Sequence, residues 1–226
     1  MDKVVKEIED IIEKGLRNDI FRAERAIAIN REIAKHSEEI NNGNKHKKRL
    51  LAYLQNLTVN EAILCTTKLY DPVGKYPTRS IHILLDLLEE KADQLPEIRE
   101  KHNTIKLLKE LNTPHYIIGK VNSEDLSEFP KKFADYFRVL VLDFETEELL
   151  NEIKAFRDKR IAHNERVEKD LNVKWESVEK LLNLIKQAVG VIGWAYLNTI
   201  YMYENRYHLS SDARRLRGSV KEILDS

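Results

Sequence analysis

Apolar residues recur three or four positions apart over most of the chain. The first stripe runs Val5, Ile8, Ile12, Leu16, Ile20, Ala23, Ile27, the spacing of one helix face. The first ~40 residues are therefore predicted as one long helix, or two in line. Asn41, Asn42 and Gly43 should stop it. A second helix opens on the basic run Lys45 to Arg49 and carries Leu50, Leu51, Leu54, Leu57, Ile63 and Leu64. It ends near YDPVGKYP, where Asp71-Pro72, Gly74 and Pro77 predict a loop. Ser80 is a good N-cap for a third helix, SIHILLDLLEEKAD. Pro96 separates that helix from EIREKHNTIKLLKEL.

Residues 112–132 are the least regular part, with Pro114, Gly119, Pro130 and a β-like run, HYIIGKV. VLVLDF, Val139 to Phe144, either pairs with that run or is helical; helix is the preferred reading. ETEELLNEIKAFRDKRIAH is an amphipathic helix through Leu149, Leu150, Ile153 and Phe156. WESVEKLLNLIKQAVGVIGWAYLNTIYMYENRY reads as one long helix, apolar nearly all round in its middle and hence central. A last helix starts at the capping-type Ser-Ser-Asp of SSDARRLRGSVKEILDS. Together these predict a single all-α domain over residues 1–226. It would be an up-and-down bundle of long antiparallel helices with an irregular insertion around residues 112–132.

Composition supports helices. The chain has only 7 Gly and 5 Pro, and is 42% hydrophobic and 34% charged. Its 38 Lys and Arg balance its 38 Asp and Glu, so any nucleic-acid contact must come from a local basic patch. Cys65 stands alone, which excludes an intramolecular disulfide and a CxxC zinc site. It reads as a core residue and fits a reducing cytoplasm. The start, MDKVVKEIED, is charged throughout and has no signal-peptide pattern. AVGVIGWAYLNTI is shorter than the ~20 residues of a membrane span and contains Asn198. The expectation is a soluble, cytoplasmic protein with no membrane contact. None of the seven His is spaced with a carboxylate as in HExxH, and there is no Gly-rich phosphate loop or nucleophile elbow. No metal and no cofactor are expected.

Chemistry concentrates in FRDKRIAHN, Phe156 to Asn164. On a continuous helix, six steps of ~100° put Arg157 and His163 roughly 120° apart. They converge only if the helix ends between them. Ile161-Ala162 is the last apolar pair and Asn164 a C-terminal stop, which permits that ending. Arg offers a planar fork for phosphate, and His moves protons near neutral pH. Asp158 orients one of them or meets a 2′-hydroxyl. This set suits metal-independent RNA cleavage, with Arg157 stabilising the charge on phosphorus and His163 as acid or base. The plainer reading is a solvated helix end, with His163 a cap and Arg157 paired to Glu152 or Asp158.

RDKRIAH resembles the motif of the HEPN superfamily: Arg, a polar residue, a short gap, then His. Arg157, Asp158 and His163 fill those places. The wider pattern is similar to the abortive-phage-infection U type, with a D-P loop upstream (LYDPVGKYPTRSIHILL) and a long helix downstream from WESVEKLL. The resemblance implies an all-α homodimer and, in active members, a metal-independent endoribonuclease of toxin or defence systems. HEPN toxins paired with a nucleotidyltransferase antitoxin often end the motif in His-x-Tyr. Here His163-Asn164-Glu165 has no Tyr, so the resemblance does not extend to that partner. Two alternatives stay open: a non-catalytic RNA- or nucleotide-binding module, and an interaction bundle regulated by an antitoxin or other partner protein.

Lys45, Lys47, Lys48, Arg49 and Arg160 are candidate RNA-backbone contacts, the first four also reading as a solvated helix start. Arg214, Arg215 and Arg217 are a second patch or simply helix charges. Trp194, Tyr196, Tyr201 and Tyr203 read as core or dimer interface rather than base-stacking platforms. A two-fold dimer would set both His163 residues in one cleft, on the order of 10–15 Å apart.

Overall fold

The computed structural model describes residues 3–75, 78–162, 173–204 and 206–225. Helix α1 (Lys3–Ile11) passes through a wide i→i+5 turn at Ile12–Leu16 into α2 (Arg17–Lys35), and a short α3 (Ser37–Asn42) follows. The first apolar stripe is buried as expected: Val5, Ile8, Ile12, Leu16, Ile20 and Ala23 are inaccessible to solvent. Gly15, in the wide turn, lies so close to Arg79 that a Cβ there would stand 2.2 Å from the Arg79 Cβ.

Gly43 stops α3 in extended backbone, and the Asn44 side chain accepts from the His46 N–H at 2.7 Å to cap α4 (Lys45–Leu69). α4 packs along α2. Asn30 fixes the register by donating to Gln55 O and Thr58 Oγ1, each at 3.0 Å. The apolar stripe of α4 is split. Leu51 and Ile63 are buried, whereas Leu50 and Leu57 face solvent.

Ser80 stands at the N-cap of α5 (Ile81–Glu90), buried, but its hydroxyl makes no hydrogen bond there. α6 (Lys101–Glu110) ends at Asn112, whose φ of 54° is left-handed. The β-like run is not a strand. It forms α7 (His115–Ile118) and a 3-10 turn over Gly119–Asn122. Ile117 and Val121, four apart, both turn into the core, and helical spacing satisfies the backbone locally where an isolated strand would lack a partner. Pro130 sits in the first turn of α8 (Glu128–Val141), where its missing N–H is no loss. Val139 to Val141 are helical, as preferred. The chain breaks at Leu142–Asp143, and Asp143 caps α9 (Phe144–Phe156).

The long C-terminal helix is shorter than expected. α10 (Trp175–Ile192) opens into a wide turn at Gly193–Leu197, and Asn198 takes φ 53° and ends it. The chain then folds back. The Tyr201 ring occupies the space beside Gly193, where a Cβ would meet Tyr201 Cδ2 at 2.4 Å. Trp194 Nε1 donates to Met202 O at 3.0 Å. A two-residue hairpin, β1 (Met202–Tyr203) with β2 (Arg206–Tyr207), leads to α11 (Ser211–Asp225). Trp194, Tyr196 and Tyr201 are buried inside the protomer, which removes them as a dimer surface; only Tyr203 is exposed.

The whole is an all-α bundle. α10 lies at its centre, touching α2, α4, α6, α8 and α9, and α11 covers α2. No helix among the described residues is long and apolar enough to cross a membrane.

Candidate functional site

The site is built where α9 meets the end of α4. Leu150 and Ile153 bury the inner face of α9. After Phe156 the helix widens into an i→i+5 turn, Arg157–Ala162, packed against the C-terminal part of α4. Such turns are frequent at functional positions, and this one, unlike that at Gly193–Leu197, carries exposed charged residues. The motif's arginine is the first residue of this one.

Arg157 is held by two carboxylates. Its Nε donates to Asp158 Oδ1 at 2.7 Å, and its Nη1 lies 3.9 Å from Asp71 Oδ1. Its partner on the helix is thus Asp158 and not Glu152. About a quarter of the side chain, 27%, still reaches solvent. Asp158, Lys159 and Arg160 are exposed beside it.

Asp71 owes its place to Tyr70. The buried Tyr70 hydroxyl donates to Leu181 O at 2.8 Å, which ties the end of α4 to α10 and presents the next residue to α9. Partial burial raises the Asp71 carboxyl above its ordinary value, and the charges of Arg157, Lys154 and Lys68 act against that. These cations therefore gather round one carboxylate. Lys154 also acts on His82 of α5. There burial lowers the imidazole below its usual value, Asp86 opposes, and Lys154 and Arg138 add to the lowering. His82 thus belongs to the neighbourhood of the motif. Lys159 and Arg160 add two exposed cations beside Arg157. α4 directs its C-terminal, partly negative end here, which favours cations.

Three of these residues were not singled out in the sequence. Lys154 was legible, because it lies three before Arg157 and so on the same helical face. Asp71 was noticed only as part of a loop. His82 had no sequence signal, since only packing brings α5 to α9. His163, Asn164 and the expected helix end lie outside the described residues, so the pairing of Arg157 with His163 is not part of the observed geometry.

Lys45, Lys47, Lys48 and Arg49 are exposed at the start of α4. At ~1.5 Å per residue, the 25 residues of α4 set them roughly 35 Å from Asp71. Lys47 reaches the other way, donating to Leu224 O of α11 at 3.3 Å. Of the proposed RNA contacts, only Arg160 shares the site with Arg157. Cys65 takes no part, because burial pushes its thiol up to about 12, with Asp19 and Glu61 adding to the effect. It is a core residue, not a nucleophile.

A family model described as AbiU2, of the HEPN type, matches residues 6–216. No curated protein and no solved structure matches the chain.

Proposed function

Because the chain belongs to the HEPN AbiU2 family, we propose that it is a metal-independent endoribonuclease of a toxin or phage-defence system, using Arg157 and His163. The observation that carries this reading is Arg157 itself. It starts a wide helical turn, paired with Asp158 and near Asp71, with about a quarter of its side chain, 27%, still open to solvent, and Lys154, Lys159 and Arg160 lie close to it in sequence.

An RNA phosphate entering here replaces water on the open side of the guanidinium. The 2′-oxygen attacks the adjacent phosphorus and the 5′-oxygen leaves. Arg157 stabilises the charge gathering on the phosphoryl oxygens. His163 takes the 2′-hydroxyl proton or delivers one to the leaving oxygen. Asp158 is an orienting residue, since its bond to Nε fixes the plane of the fork.

The account includes an isologous homodimer. One arginine and one histidine hold a phosphate weakly in water, whereas two copies of the motif facing one cleft double the local charge. α4 offers the apolar surface for such contact. Leu50, Tyr53 and Leu57 stand exposed on it at helical spacing, 57%, 61% and 44% accessible. Lys45, Lys47, Lys48 and Arg49 at one end of that helix would then guide the RNA backbone outside the cleft.

The test is cleavage of RNA in excess chelator. The mechanism predicts undiminished cutting and products ending in a 2′,3′-cyclic phosphate or its 3′-phosphate hydrolysis product. Products with 3′-hydroxyl ends, or activity abolished by chelator, contradict it. Tight RNA binding with no cutting would make the protein a binding module instead.

A further inference from the structure

A second cationic site lies on another part of the bundle, in a cavity of about 230 Å³ between α2, α10 and α11. Four cations line it: Arg31 and Lys35 from α2, Arg214 and Arg217 from α11. Its two carboxylates are already engaged. Glu179 receives Arg31 in a two-pronged pair at 2.6 and 2.8 Å. Glu24 is bound by Lys186, whose side chain is only 5% exposed. Lys35 is paired with the buried Glu32. Arg214 and Arg217 have no ion-pair partner among the described residues, and they stand exposed one turn apart on one face of α11. Neighbouring like charges on a helix repel, and a bound anion relieves that repulsion.

We propose that this cavity binds a small phosphomonoester that carries hydroxyl groups, of the kind represented by ribose 5-phosphate. Arg214 and Arg217 hold the phosphate as paired forks. The Ser210 hydroxyl and the Glu179 carboxylate, both lining the cavity, receive the hydroxyls. The cavity is below the usual size of a drug-like pocket, and it fits a phosphorylated sugar better than a folded macromolecule. The two-pronged Arg31–Glu179 pair forms one wall of the cavity.

Calorimetric titration of the full chain with ribose 5-phosphate, ribose and inorganic phosphate tests this. Ribose 5-phosphate should bind and ribose should not. Arg214→Ala and Arg217→Ala should each weaken binding at least about tenfold, the loss of one charged hydrogen bond. Both side chains are exposed, so the fold should persist, as circular dichroism would verify. Arg157→Ala should leave this affinity unchanged, which separates the cavity from the proposed cleavage site. A ribose 5-phosphate unit also occurs at the 5′ end of RNA. In the Arg157→Ala background, a 5′-phosphorylated short RNA that binds through Arg214 more tightly than the free sugar phosphate names that source. Weaker binding of the RNA names the free molecule. No binding of ribose 5-phosphate at millimolar concentration overturns the proposal, as does binding that Arg157→Ala abolishes and Arg214→Ala spares.

Discussion

Replacing Glu24 by Gln should be among the most damaging single changes to this fold. Glu24 on α2 and Lys186 on the central α10 form an ion pair with side chains 14% and 5% exposed. Lys186 Nζ also sits 4.2 Å above the Tyr207 ring centre and 3.5 Å from Ser210 Oγ. Breaking a buried pair from one side leaves a desolvated charge and costs about 3–5 kcal/mol. The Tyr207 ring and Ser210 remain as partial compensation, and Gln keeps one acceptor, so the lower end applies, about 3 kcal/mol. In a domain of this size each kcal/mol lowers Tm by about 2–4 °C, giving a drop of roughly 6–12 °C. Thermal and urea melts followed by circular dichroism read this directly. Glu61→Gln is the control. Its pair with Arg22 is open to water, 35% and 50% exposed, and should contribute less than about 1 kcal/mol. Glu24→Leu with Lys186→Met removes both charges and should recover most of the loss. If Glu24→Gln melts within about 1 kcal/mol of wild type, the pair is solvated and the reasoning fails.

Helix propensity alone says that Gly15→Ala stabilises by up to ~1 kcal/mol. The contact with Arg79, 2.2 Å from Cβ and 2.9 Å from the carbonyl oxygen, reverses the sign, and a loss of about 1–3 kcal/mol in urea unfolding is expected. A stabilised Gly15→Ala protein would show that the two segments do not pack this closely. Tyr70→Phe removes the bond to Leu181 O; that carbonyl keeps its helical partner within α10, so equilibrium unfolding should register only about 1 kcal/mol. A loss several times larger would mean that Tyr70 does more than fasten the end of α4. Burial lowers the His82 imidazole below its ordinary value of about 6.5, so the unfolded chain takes up the proton first. Stability is then fully present above that value and declines as pH falls through it. Melts at neutral and mildly acidic pH should show that decline, and His82→Gln should lessen it; an equal decline in the variant excludes His82 as a cause.

The helices were legible because their apolar faces are long and regular, but the wide turns within them were read only as helix. In the first stripe, Ile8, Ile12, Leu16 and Ile20 are spaced by four throughout. That exceeds 3.6 residues per turn, so the face drifts unless the helix widens, and it widens at Ile12–Leu16. The stripe of α4 misled for another reason. Its first half meets only the small cluster of Ile33, Ile40 and Leu224, which covers Leu51 and leaves Leu50 and Leu57 outside. The extension of α10 to Tyr207 failed because residues after Asn198 fold back on Gly193, a long-range contact with no periodic signature. At the site, Arg157 and Asp158 were visible as a motif and as a pair. The link to Asp71 depends on Tyr70 reaching α10 across 111 residues of sequence, a distance over which one sequence read alone carries no pairing signal.

The central claim is that Arg157 and His163 cleave RNA. Its most direct test is single-turnover cleavage of one RNA by wild type, Arg157→Ala and His163→Ala, with folding checked by circular dichroism. The account predicts that wild type cuts and that each substitution lowers the rate at least ~10²-fold while the fold is retained. Cleavage by either variant at the wild-type rate would contradict it.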